Sequence, residues 1–155
     1  AIYEHVVLVP KWAAAPPSSL AIFQGQYKLE PQNFWIPIHP LTVLLLILSL
    51  ITNWKNDRRK NILIVFISYL IILIVTFTYF VPEIISIMKI PFQDTVDPAL
   101  VHRASMWETL SLIRLAFIAV LSFILLSALT KPGKIVVVHE IDTVPLSYEN
   151  DAMGG

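Results

Sequence analysis

Apolar residues in this chain fall in runs too long and too uniform for the one-sided patterning of a soluble domain. Residues 62–80 put Ile, Leu, Val and Phe on every helical face, the mark of a helix with apolar surroundings on all sides. Crossing a bilayer takes about 20 residues of helix at a rise of about 1.5 Å each, and this run has the length. A second run, 110–129, is interrupted by one charge, Arg114. Asp97-Pro98 reads as a cap followed by a first-turn proline. That helix is therefore expected to begin near Pro98, to continue to Thr130 before Lys131-Pro132-Gly133 stops it, and to protrude beyond the membrane. The shortest run, 41–51, extends backwards through Ile36, Pro37, Ile38 and His39 and needs Trp35 and Trp54 as interfacial anchors. Helices are expected over 39–53, 61–81 and 98–130.

The stretch ahead of these runs is rich in proline and aromatic residues, among them Trp12, Phe23, Tyr27, Phe34 and Trp35. It is too polar to cross and too aromatic for a free linker, so 1–38 is expected to cap the bundle at the outer interface. Its opening residues, to Pro10, also fit the outer end of a further helix whose apolar part lies upstream. The expected fold is a single membrane domain over 1–155: an all-α transmembrane helical bundle with three clear spans, a fourth at or before the N-terminus, and an outer aromatic cap. The loop 54–60 carries Lys55, Arg58, Arg59 and Lys60, and short basic loops stay cytoplasmic. A multi-pass protein of the plasma (inner) membrane follows, with 1–38 and 81–109 outside and the tail 131–155 in the cytoplasm. Within that tail Ile135, Val136, Val137 and Val138 read as a short strand or extended arm ahead of His139.

Composition agrees with lipid as the solvent. Of 155 residues, 56% are hydrophobic and 14% charged, against roughly 25% charged in soluble domains. Eleven basic and eleven acidic residues cancel, which leaves no basic surface for nucleic acid. The absence of cysteine excludes disulfides, thiolate nucleophiles and Cys-ligated metals. A cofactor, if there is one, has to be held by His, by carboxylates or by packing.

Polar groups inside the apolar runs are the candidate chemistry. Arg114 lies about 22 Å from the inner end of its helix, in the outer third of the hydrocarbon, where an arginine needs a partner and faces the bundle interior. Arg103, Trp107 and Arg114 share one stripe of that helix, broken only by Leu110. On the preceding helix Tyr69, Thr76, Phe80 and Glu83 share a face, with Tyr79 beside them. An Arg114–Glu83 ion pair is the first expected contact, and it fits both a register-fixing role and a binding or catalytic one. His5, His39 and His102 fall at the expected outer surface with Glu4, Glu83 and Glu108. His5, His39, His102, Glu4 and Glu108 compose a candidate His/carboxylate metal set; the other reading is of interfacial side chains bonded to water. No HxxxH pair, phosphate loop or dinucleotide fingerprint occurs.

The run from Thr76 through Tyr79, Phe80, Pro82 and Glu83, then His102, Arg103, Trp107 and Arg114, resembles the anthrone oxygenase-like family of small four-helix membrane proteins. Tyr3-Glu4-His5 with Pro10 is similar to the outer end of that family's first helix, whereas Glu83 stands where members more often carry Asn. The resemblance implies a four-helix bundle with an outward-facing pocket and, for some members, oxygenation of polycyclic phenolic substrates. Two functions are carried forward. One is a membrane oxidoreductase, a monooxygenase-like enzyme acting on a lipophilic ring compound that enters from the bilayer. In it Arg114 and Arg103 polarise a substrate oxygen, Glu83 or His102 moves protons, and Trp107, Tyr79, Phe80, Trp35 and Trp12 line the pocket. The other is a non-catalytic subunit or scaffold docked to partner membrane subunits.

Overall fold

The structure, a computed structural model, describes residues 2–130. Among the described residues every regular element is a helix. A π-helical turn, Glu4–Leu8, runs into an α-helical one, Val9–Ala13; together they form α1. A 3-10 turn, Ser18–Phe23, precedes α2, Gln32–Thr52. Helix α3, Arg59–Met88, is one rod of 30 residues with a π-helical turn at Thr76–Phe80. Helix α4 covers Pro98–Leu129. Helices α2, α3 and α4 are each long and apolar enough to cross a membrane. The chain is an all-α transmembrane helical bundle.

Two of the expected helices are longer than their apolar runs. Helix α2 starts at Gln32 rather than 39 and carries Pro37 and Pro40 inside it. Each proline deletes one backbone bond, yet the flanking turns hold, and Pro31, with φ of −63°, leads the chain into helical geometry. Helix α3 continues past residue 81 to Met88 because of what happens around Pro82. A proline ring collides with the carbonyl four residues back, here Thr78, and cannot bond to it. The backbone widens into the π-turn just ahead, where Val81 N–H bonds to the Thr76 carbonyl, and the helix goes on. The same arrangement occurs in α1, whose π-turn ends at Leu8 just before Val9-Pro10. The start of α4 is as expected: Asp97 is extended, and its carboxylate accepts from Ala99 N–H at 2.8 Å. The stop at Lys131-Pro132-Gly133, the arm at residues 135–138 and His139 lie outside the described residues.

Helix α3 packs between α2 and α4, and α1 lies against α4. Lipid-directed faces are extensive: only 6% of the spanning windows of α2 and α4 is buried within the chain. The apolar core instead concentrates at one end, where α1 and the 3-10 turn cover the ends of α3 and α4. Trp12, Leu20, Phe23, Phe80, Ile87, Ala104 and Trp107 are buried there. Trp12 meets Trp107 edge-on at 5.5 Å between ring centroids and Phe23 at 6.1 Å, and Phe80 meets Trp107 at 5.9 Å. Such edge-to-face pairs add to the area they bury. Trp107 Nε1 donates to the Phe80 carbonyl at 3.0 Å, tying α4 to the π-turn. The cap's loops are pinned by polar contacts. Gln24 donates to the Ile90 carbonyl and accepts from Phe92 N–H, at 2.9 and 3.1 Å, and Asp97 N–H bonds to the Pro16 carbonyl. Gly25, at φ +82°, makes the turn beside Gln24 that other residues adopt poorly. Near the start of α2, Lys28 at 2.7 Å, with Asn33 as a further donor, holds the Glu30 carboxyl below its ordinary pKa.

Replacing Trp107 by Ala removes these ring contacts and the bond to Phe80, and should cost about 3–5 kcal/mol. Thermal unfolding in detergent should fall steeply for Trp107→Ala and barely move for Phe123→Ala, whose side chain is 72% exposed on the lipid-directed surface of α4.

Candidate functional site

Three contacts set the antiparallel register of α3 against α4. Arg114 Nη1 donates to Thr76 Oγ1 at 3.2 Å, Trp107 donates to Phe80, and Arg103 Nε donates to Glu83 Oε1 at 2.8 Å. Glu83 is therefore level with Arg103, and the expected Arg114–Glu83 pair does not form. Arg114 and Arg103 are eleven residues apart, about 16 Å along a helix, beyond the reach of one carboxylate. Arg103 Nη2 also donates to Ser86 Oγ at 3.0 Å.

Arg114 is held by neutral groups instead. Its second terminal nitrogen, Nη2, donates to Ser111 Oγ at 3.3 Å, and its guanidinium carbon lies 4.2 Å from the Phe80 ring centroid. Among the described residues no carboxylate comes within ion-pairing distance of it; Glu4 acts on it through space. Ser111, fully buried, hydrogen-bonds His5 Nε2 of α1. Glu4, one residue before His5, accepts from Trp35 Nε1 of α2 at 3.0 Å. Further along α2, His39 Nδ1 meets the Tyr69 hydroxyl of α3 at 2.9 Å. Each neighbouring pair of helices is thus joined by a polar contact: α1–α4 through His5 and Ser111, α4–α3 through Arg114 and Thr76, α3–α2 through Tyr69 and His39, α2–α1 through Trp35 and Glu4. The four contacts close a polar belt within the bundle.

The belt draws together some of the expected site residues and leaves others apart. Arg114 and Phe80 are in it, with Tyr79 against Phe80 at 5.2 Å and Trp107 behind Phe80. Trp35 joins through Glu4 and stacks on His39 at 5.7 Å. Trp12 belongs to the cap core, Glu83 and Arg103 pair nearer the cap end, His102 is exposed on α4, and Glu108 is half-buried there. The metal set is not assembled. Among the described residues no three His, Asp or Glu side chains come close enough to hold an ion, because His5 turns to α4 and His39 to α3 while His102 faces outward. Ser111 went unnoticed in the sequence. It lies four residues after Trp107 and three before Arg114, on their face of the helix, and that spacing was the available signal.

Comparison with protein-family models, curated proteins and solved structures gives no match to the chain for any of the three.

The side chains of Arg103 and Glu83 are 41% and 25% exposed, so solvent screens their pair and its worth should stay below about 1 kcal/mol. Arg103→Gln and Glu83→Gln should each shift detergent melting only slightly, and the double variant no further than the sum. A large coupling energy between them would make this pair, not the belt, the main polar tie between α3 and α4.

Proposed function

We propose that this membrane protein binds a lipophilic ring compound through an oxygen function on the ring, and acts on it as an oxygenase-like oxidoreductase. The observation that carries this reading is Arg114. A guanidinium within a span costs on the order of 3 kcal/mol on insertion scales, and this one is held by two hydroxyls and a phenyl ring, with no carboxylate in contact among the described residues. Such a cation is poised to stabilise a phenolate or enolate oxygen, and it strengthens as that charge develops. His5, hydrogen-bonded to the Ser111 that also contacts Arg114, is the group suited to take the ring proton. Glu83, bonded to Arg103, and His102, exposed, are less well situated for that task than expected from sequence. Oxygenation of the kind the family resemblance implies balances with dioxygen as co-reactant: two C–H bonds of a ring carbon break, one oxygen atom becomes the carbonyl, and the other leaves as water.

A second reading, a non-catalytic subunit or scaffold, draws support from the same belt, since polar contacts between helices also fix register in a bilayer. The wide lipid-directed faces of α2 and α4 leave room for partner subunits.

Binding of 2-naphthol to the protein in nanodiscs, with empty nanodiscs subtracted, separates the two. Arg114→Leu should weaken it at least about tenfold, the loss of a charge-assisted hydrogen bond, while the protein still assembles as a monodisperse species; Arg114→Lys should recover part. An Arg114→Leu protein that fails to assemble, or a wild type with no affinity for 2-naphthol, would favour the scaffold.

A further inference from the structure

At the end of the bundle away from the cap, the last turns of α2 and α4 meet the first turn of α3 around a cavity of about 130 Å3, lined by Ser49, Asn53, Arg58, Ile62, Leu125 and Ala128. We infer that this cavity seats the phosphate of an anionic glycerophospholipid, at a site separate from Arg114 and independent of its reading.

The position of the cavity in the membrane follows from the chain's path. Helices α2 and α3 each have the length to span, so the connection from Thr52 to Arg59 lies at a bilayer surface. Ser49 is about one turn inside that connection, where a lipid's phosphate meets the hydrocarbon. The register that sets Thr76 beside Arg114 also brings Ile62 to Ala128 in the cavity wall, about 21 Å along α4 from Arg114.

The lining is amphiphilic. Ile62 and Ala128, both buried, and Leu125 are apolar, whereas Arg58 brings a guanidinium fork of the kind that pairs phosphate oxygens. Ser49 and Asn53 share a face of α2 with Leu46, the buried residue of that helix, and so turn toward the bundle. Thr42 and Thr52 of the same helix bond back to its carbonyls. Ser49 Oγ does not, and it has no partner among the described residues, which leaves its O–H to donate to a ligand oxygen. The Asn53 amide is spent on the Ser49 carbonyl at 2.9 Å and shapes the wall.

Charge decides the headgroup. Between Trp54 and Lys60 stand Lys55, Arg58, Arg59 and Lys60 against one carboxylate, Asp57, and Arg59 lies over the Trp54 ring at 5.0 Å, an aromatic anchor at the surface. A choline or ethanolamine headgroup would bring its own cation among these four; an anionic one is drawn to them. Free phosphate would leave the apolar wall unused, whereas a lipid places its glycerol and first acyl carbons against Ile62, Leu125 and Ala128.

The test counts lipids retained by the full chain in native mass spectrometry from a non-ionic detergent, with phosphatidylglycerol and phosphatidylcholine as probes. One phosphatidylglycerol should be held at least about tenfold more tightly than phosphatidylcholine. Arg58→Gln should lose about tenfold, a charge-assisted bond, and Ser49→Ala about threefold, a neutral one. Lys60→Gln, exposed and outside the lining, should stay within about twofold. Ser49→Leu, which fills the cavity from a helix face that tolerates leucine, should abolish the preference and decides the matter if Arg58→Gln does not assemble. Equal losses in Lys60→Gln and Arg58→Gln, or an unchanged preference in Ser49→Leu, would overturn the cavity in favour of diffuse attraction to the loop. Displacement of the lipid by glycerol 3-phosphate at equal concentration would overturn the lipid as the source of the phosphate.

Discussion

One constraint orders this molecule: a guanidinium inside a helix that crosses the membrane must be given partners by its own bundle. Arg114 finds them in Thr76 on α3, Ser111 on its own helix and the face of Phe80. Those partners fix how α3 and α4 slide against one another. Once Thr76 is level with Arg114, Phe80 falls level with Trp107 and Glu83 with Arg103, and each of these pairs also bonds. Ser111 then passes the constraint to α1 through His5.

The division of labour along the bundle follows from the solvent at each level. Within lipid, apolar helices gain little from meeting one another, and there the buried apolar side chains Leu46, Ile62, Val65 and Ala128 are joined by the polar contacts of the belt. Wide faces of α2 and α4 stay open to the bilayer. At the capped end, where α1 and the 3-10 turn fold over α3 and α4, aromatic burial resumes with Trp12, Phe23, Phe80 and Trp107. Phe80 serves both regimes: its ring packs edge-to-face with Trp107, which the cap's Trp12 also meets, and it lies under Arg114. The π-turn that carries it, made necessary by Pro82, also puts the Phe80 carbonyl where Trp107 reaches it.

Much of the fold was legible because spanning helices declare themselves by length and uniform apolarity. The α4 start was readable to the residue from Asp97-Pro98. Helix ends near prolines were not: the expected helices 39–53 and 61–81 stop short of Gln32 and Met88, because the chain absorbs Pro37 and Pro82, the latter through a π-turn that no local preference announces. The candidate site was legible as a set of faces and not as pairs. Helical spacing put Arg103, Trp107 and Arg114 on one side of α4 and Thr76, Phe80 and Glu83 on one side of α3, but the register between two helices is a tertiary quantity, and an offset of eleven residues moved Glu83 from Arg114 to Arg103. The histidines were grouped by expected depth, which says nothing of direction. His5 and His39 turn to different helices. Ser111 is announced only by its spacing from Trp107 and Arg114, because a lone serine in an apolar run ordinarily bonds back to its own helix.

The register itself can be measured directly because the chain contains no cysteine. Two double variants, Glu83→Cys with Arg103→Cys and Glu83→Cys with Arg114→Cys, would be oxidised in nanodiscs and the cross-linked fraction read by mass spectrometry. A high yield is expected for the first pair and none above background for the second. Cross-linking of Glu83→Cys to Arg114→Cys, with the first pair inert, would contradict it, returning Arg114 to Glu83 and removing the belt on which the candidate site is built.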